Sequence, residues 1–241
     1  MPSSSNLRPS APSPELSLES RIRACTRCPD MVRCRQAPVP GVGRRPAALM
    51  IVGLAPGRRG ADRTGIPFLG DQSGRRLRSA LGEAVDRVYI TNVVKCAPKS
   101  CAAHSQPACL PTRAYAEGRG CVVDGTPCRP RNRDPRDDEI DRCRPYLAEE
   151  LEEVRPRGVM ALGRVAERTA QQLLGRDAGP GAPGQMIGTG PFVVYLPHPA
   201  ALHYHPDWDR DFEDMVAAVL AAAGVTRSSG RAFYGVERER R

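Results

Sequence analysis

The sequence predicts a three-layer α/β/α fold around a central four-stranded, mainly parallel sheet. Two observations predict it. Four short apolar runs recur along the chain, and stretches with helical spacing of apolar residues lie between them. Strands that alternate with helices form a parallel sheet covered on both faces. With 241 residues, 40% of them hydrophobic, the chain is long enough for one such domain plus appended segments.

The elements follow in order. Residues 1–17 are Ser- and Pro-rich and read as a disordered tail, and the domain spans 18–225. The run 47–52 is continuously apolar, stops at Gly53, and predicts the first strand. A Gly/Pro-rich loop, 53–74, leads into an amphipathic helix over 73–85, and the second strand covers 88–94. Residues 98–130 are rich in Cys, Pro, Gly and Ala with neither helical nor strand periodicity, which marks an insertion. A helix over 135–154 opens with Asp residues that suit its positive end. The third strand is 159–162, followed by a helix over 164–174, a Gly/Pro linker over 179–184 and the fourth strand, 192–196. A last helix covers 207–223, and 226–241 read as a basic, flexible tail.

In a sheet of this kind, ligands bind beyond the carboxyl ends of the strands. The loops 53–74, 92–98 and 197–206 leave those ends and are expected to converge on one cleft.

A formal charge of +9 favours a polyanionic partner, because basic surfaces steer nucleic acid and release its counterions. Simple solubility is the bland alternative. The N-terminus lacks the apolar run of a secretory signal, and no stretch approaches the roughly 20 apolar residues that span a bilayer. A cytoplasmic protein is therefore expected, one that does not enter a membrane.

Nine cysteines in such a chain point to a metal before disulfides. Cys25 and Cys28 form a CxxC, a pattern shared by zinc sites and redox dithiols. Cys96 stands just after the second strand, and Cys143 lies in the 135–154 helix. Four cysteines from three places suit a [4Fe–4S] cluster or a structural zinc. An electron-transfer ferredoxin would hold its cysteines close together, whereas these span about half the chain. Cys101, Cys109, Cys121 and Cys128 of the insertion match no familiar zinc spacing, and a second metal site or a replacement ligand among them stays open.

The loop 53–74 is glycine-rich, so its backbone can approach a ligand closely. It has neither the GK[ST] of a P-loop nor a dinucleotide fingerprint. Asp71 is positioned either to serve chemistry or to cap the helix beginning near Ser73. Phe68 follows a proline in a glycine loop, where stacking on a ligand competes with plain core packing. His198, fixed between Pro197 and Pro199 at a strand end, is poorly explained as a core residue. His203 and His205 follow it and read equally as functional or solvated.

These motifs together resemble the iron–sulfur uracil-DNA glycosylases, the fourth and fifth families of their superfamily. The resemblance rests on Gly53 to Gly74, on Thr91-Asn92-Val93-Val94-Lys95-Cys96, on Glu139 to Leu147 and on His198-Pro199-Ala200. It covers residues 22–223 and implies the uracil-DNA glycosylase fold, a [4Fe–4S] cluster on Cys25, Cys28, Cys96 and Cys143, and uracil-containing DNA as substrate. Leu54 stands where the fourth family carries Glu, so the fifth family fits better. The insertion is a departure from both.

The resemblance implies roles residue by residue. Asp71 matches the water-positioning acid, with Asp62 as a second candidate because relatives carry Asn there. Phe68 matches the ring that stacks on an extruded uracil, and His198 the donor to uracil O2. Gly53 and Ala55 join them as substrate contacts. Asn92 and Asn132 both match uracil-reading positions, since an Asn carboxamide pairs with O4 and N3–H at once. Asn92 is favoured for the base, with Asn132 as a second contact. The implied reaction hydrolyses the N-glycosidic bond of deoxyuridine, and of deoxyinosine as a second substrate, in base excision repair by a monomer. The alternative is an iron–sulfur or zinc nucleic-acid-binding protein with a weakened site.

Overall fold

The computed structural model describes residues 16–100, 122–123, 126–127, 131–176, 179–205 and 208–226. Helices α1 (Leu18–Arg23) and α2 (Pro29–Cys34) lead to strands β1 (Val42–Gly43) and β2 (Leu49–Gly53). Helices α3 (Ala61–Thr64) and α4 (Gln72–Leu81) precede β3 (Tyr89–Asn92). Four two-residue strands follow: β4 (Lys99–Ser100), β5 (Val122–Val123), β6 (Thr126–Pro127) and β7 (Arg131–Asn132). Then come α5 (Asp137–Val154), β8 (Gly158–Leu162), α6 (Arg164–Leu173), β9 (Met186–Ile187), β10 (Phe192–Leu196) and α7 (Asp209–Ala222).

The main sheet has the order β1-β3-β2-β8-β10-β9. Its four central strands are parallel, as the alternation of strands and helices predicts. The two edges, β1 and β9, pair antiparallel. Those edge strands have two residues each, too few to show an alternating pattern, so the sheet has six strands instead of four.

The pleat sends Met50 and Val52 into one apolar layer and Leu49 and Ile51 into the other. The first layer includes α1, α5 and α6, and the second packs α4 and α7. β2 is buried at every residue, which is why it reads as a continuous apolar run.

Register positions the site. Gly53 of β2 pairs with Asn92 of β3, and Leu162 of β8 pairs with Leu196 of β10. All four parallel strands therefore end level, and the loops that follow them open on the same edge.

The proposed insertion falls mostly outside the described residues, as do Cys101, Cys109, Cys121 and Cys128. The same holds for the tails at 1–15 and 227–241. No described helix is long and apolar enough to cross a membrane.

Candidate active site

The loops at the carboxyl edge enclose a cleft of about 410 Å³. Residues 54–57, Phe68, Asp71, Asn92, Asn132, 162–166 and His198 line it. Sequence positions more than a hundred residues apart thus meet, because parallel strands bring successive loops to one edge.

Phe68 adopts a left-handed backbone conformation, φ 51°, which is rare for a residue with a side chain. Arg78 holds it there: its guanidinium donates to the carbonyls of Phe68 (2.8 Å) and Pro67 (3.2 Å). The ring lies over Gly53. A methyl group on Gly53 would sit 2.6 Å from that ring and 2.5 Å from Asn92 Oδ1. Gly53 is therefore the floor on which the aromatic ring and the carboxamide meet. Asn92 is almost fully buried, and it lines the cleft.

Asn92 is held through its backbone. Lys95 Nζ donates to Asn92 O (2.6 Å), to Thr91 Oγ1 (2.7 Å) and to Glu150 Oε2 (2.6 Å). Glu150 also accepts from the Tyr89 hydroxyl and the Gly41 amide. Lys95 and Glu150 are both buried, so this pair is a dry, fully hydrogen-bonded support beneath the end of β3.

His198 faces Phe68, with ring centroids 5.8 Å apart and planes tilted by 36°. Its Nδ1 accepts the Ala200 amide at 3.1 Å, so in the neutral ring the proton resides on Nε2. Burial lowers the His198 pKa, and the nearby Asp71 charge only partly opposes that. The ring is a neutral donor at physiological pH.

Asp71 does two things at once. Oδ1 accepts the Gly74 amide at 2.8 Å and caps α4. Oδ2 occupies the space beside Gly57 and Gly60, where a methyl group on either residue would collide with it. The capping alternative is thus real, and it still leaves one carboxylate oxygen on the cleft wall. Asp62 is different. It is buried, bonded to Lys99 Nζ at 2.5 Å and to the Gln36 amide at 3.0 Å, and it does not line the cleft. Its geometry is that of an internal ion pair.

Asn132 lines the cleft, but its Oδ1 accepts the Arg58 amide at 3.1 Å. It ties the glycine loop to β7. The neighbouring Arg133 forms a two-pronged pair with Glu139 (2.6 and 2.7 Å), whose carboxylate also accepts the Arg136 amide at the start of α5. Glu139 therefore fixes both the helix start and the segment carrying Asn132.

Cys28, Cys96 and Cys143 are buried in the first apolar layer, and Cys25 packs against it. None of the five described cysteines is in a disulfide. Burial pushes the Cys96 thiol up to about 11; Arg35 opposes this, while Cys25 and Cys28 add to it. Burial likewise pushes Cys143 up to about 12, with Lys95 opposing and Cys96 and Cys25 adding. The four thiols are thus electrostatic neighbours. Two sulfurs already accept hydrogen bonds: Cys96 from Arg35 (2.9 Å) and Cys143 from the Lys95 amide (3.2 Å). Among the described residues, no group of three or more His, Cys, Asp or Glu is placed to hold a metal ion.

Sequence reasoning passed over the turn 162–166 between β8 and α6, which forms one wall of the cleft. Gly163, with φ 102°, was the available signal, a glycine between an apolar run and a helical one. The Lys95–Glu150 support was also missed. Its partners are 55 residues apart and leave no local trace.

A family model for the uracil DNA glycosylase superfamily matches residues 40–222. The chain is 32% identical over 216 residues to a type-5 uracil-DNA glycosylase of Pyrobaculum aerophilum, an alignment covering 76% of this chain and 81% of that relative. It is 30% identical over 210 residues to a type-4 uracil-DNA glycosylase of the same organism (83% and 90% covered). A type-4 uracil-DNA glycosylase of Archaeoglobus fulgidus is 31% identical over 202 residues (80% and 84% covered). Since the family match extends over three quarters of the sequence and includes every strand end that forms the cleft, the chain belongs to the uracil DNA glycosylase superfamily.

Proposed function

We propose that this protein is a uracil-DNA glycosylase, hydrolysing the N-glycosidic bond of deoxyuridine in DNA. One observation carries the reading: a stacking ring, a carboxamide and a neutral histidine donor meet in one cleft at Phe68, Asn92 and His198.

A target base inside a duplex is out of reach, so it must be extruded into the cleft. Phe68 then stacks on it, with Gly53 and Ala55 allowing close backbone approach. Asn92 donates to O4 and accepts from N3–H, a pairing that cytosine reverses. As the bond breaks, the sugar becomes oxocarbenium-like and uracil leaves as an anion. His198 Nε2–H stabilises that anion as its charge develops. Asp71 Oδ2 orients water toward C1′. Asn132 acts by holding the Arg58 backbone in place, a support for the loop as well as a second contact.

Cys25, Cys28, Cys96 and Cys143 would hold a [4Fe–4S] cluster. The donor set supports this: three buried thiols and the half-buried Cys25 beside them need positive compensation before they can ionise, and two already accept hydrogen bonds. The group would supply structural cross-linking between the α1–α2 segment, the end of β3 and α5. A zinc site is the competing reading, and a brown protein with broad visible absorbance excludes it.

The test is an end-labelled oligonucleotide with a single deoxyuridine, incubated with the protein and then treated with alkali. Strand scission at the deoxyuridine is expected, and an intact strand at excess enzyme would overturn the reading.

A further inference from the structure

Beside Lys95–Glu150, the described residues hold a second dry ion pair, Asp62–Lys99, whose side chains are each 1% exposed. The hydrolysis outlined above uses neither charge. An ion pair this deep repays little of its desolvation, and apolar side chains of similar volume would fold as well. What distinguishes the pair is the set of segments it joins.

Asp62 belongs to α3, in the middle of the glycine loop. Its Oδ1 accepts the Gln36 amide at 3.0 Å, and its Oδ2 accepts from the Lys99 ammonium at 2.5 Å. Lys99 Nζ also donates to the Cys34 carbonyl at 2.7 Å, and Lys99 pairs with Asn132 across β4 and β7. One ion pair thus fastens the glycine loop both to the end of α2 and to β4.

The backbone of Asp62 leads on to Asp71. The amides of Gly60 (3.2 Å) and Asp62 (3.1 Å) both donate to the Gly57 carbonyl and close a turn. Asp71 Oδ2 packs tightly against that turn. A methyl group on Gly60 would collide with it, and one on Gly57 would lie 2.9 Å away. The helix cap fixes the other oxygen, Oδ1. Oδ2 is placed by the turn, and the turn is anchored by Asp62.

We infer that Asp62 and Lys99 are positioning residues for the hydrolysis: their ion pair anchors the turn 57–62 and so holds Asp71 Oδ2 where it orients water. The inference rests on the glycosylase reading. Phe68, Asn92 and His198 are held from elsewhere, by Arg78, Lys95 and the Ala200 amide. Loosening the turn therefore slows the reaction and spares base recognition.

The full chain is assayed on a labelled deoxyuridine oligonucleotide in single turnover, with the enzyme in excess at increasing concentration. Asp62→Leu with Lys99→Met removes both charges and roughly keeps the volume. Its rate at saturation is expected to fall at least about tenfold, while the half-saturating concentration stays unchanged. In an Asp71→Ser background the same two changes cost about twofold or less, because the oxygen they position is already gone. A purely structural loss would instead multiply in full. Asp62→Glu keeps both charges, moves the anchor by one methylene, and is read in the same way if the apolar pair does not fold. A wild-type rate at saturation, a loss confined to the half-saturating concentration, or an equal fractional loss in the Asp71→Ser background overturns the inference alone. Absence of excision by the wild-type chain overturns the glycosylase reading and the inference with it.

Discussion

Phe68 and His198 face each other across the cleft at 5.8 Å, one ring fixed by a left-handed backbone and the other by a proline on either side. The two rings come from opposite halves of the chain, and each is held by contacts that do not involve the other. Arg78 fixes the Phe68 carbonyl, and the Ala200 amide fixes His198 Nδ1. The gap is thus pre-formed, and several outcomes follow from what fills it.

Gly53→Ala is the smallest change that should close the base site. The added methyl would sit 2.5–2.6 Å from Asn92 Oδ1 and the Phe68 ring. Uracil excision should fall more than about a hundredfold, since a displacement near 1 Å in a reacting geometry has that effect. Single-turnover kinetics measure this, and a far-UV circular dichroism spectrum like that of the wild type shows that the fold persists.

Asp71 can be separated into its two roles. Asp71→Ser keeps a good helix cap but removes the carboxylate oxygen beside Gly57 and Gly60. The turnover rate should drop by about a hundredfold or more with thermal stability retained. Asp71→Ala should lose the same activity and about 1 kcal/mol of stability as well. Melting curves beside excision rates distinguish the two variants.

His198 predicts an acid limb. Its folded pKa is lowered, chiefly by burial, so below the unfolded value of about 6.5 the unfolded chain binds more protons than the native one. Stability from the neutral ring is complete above that value and is lost as pH falls through the lowered folded value. Protonation would also remove the Nδ1 acceptor used by Ala200. Denaturant unfolding between pH 7.5 and 5 should show this loss, and His198→Gln should flatten it while excision falls strongly.

The Lys95–Glu150 pair supports Asn92 from beneath. Lys95→Met leaves Glu150 buried and uncompensated and should destabilise the fold by about 3–5 kcal/mol. Lys95→Met with Glu150→Gln removes the buried charge, keeps an acceptor for Tyr89 and Gly41, and should recover much of that stability without restoring uracil excision, because the donor to the Asn92 carbonyl is gone. Urea midpoints paired with excision rates check both statements.

Much of this site could be read from the sequence because its signals are local. The run ending at Gly53, the aromatic after Pro67 and the histidine between two prolines each declare themselves within a few residues. The level ends of the parallel strands then follow from the fold class. What could not be read depends on distant partners. Asp62 looked like a second catalytic acid until Lys99, 37 residues away, appeared bonded to it. Asn132 also braces the glycine loop, its carbonyl oxygen accepting the amide of Arg58, 74 residues away. The short helices α1 and α2 and the two-residue edge strands also escaped, since neither spans enough residues to establish a period.

The central claim is that the cleft at Gly53, Asn92 and His198 selects uracil and releases it. Free base is measured directly by mass spectrometry after incubation with matched single strands containing deoxyuridine, deoxycytidine or thymidine at one position. The account predicts free uracil from the first strand and no free base from the other two, with uracil release reduced at least about tenfold in Asn92→Ala. Absence of free uracil, or its release at an undiminished rate by Asn92→Ala, would contradict it.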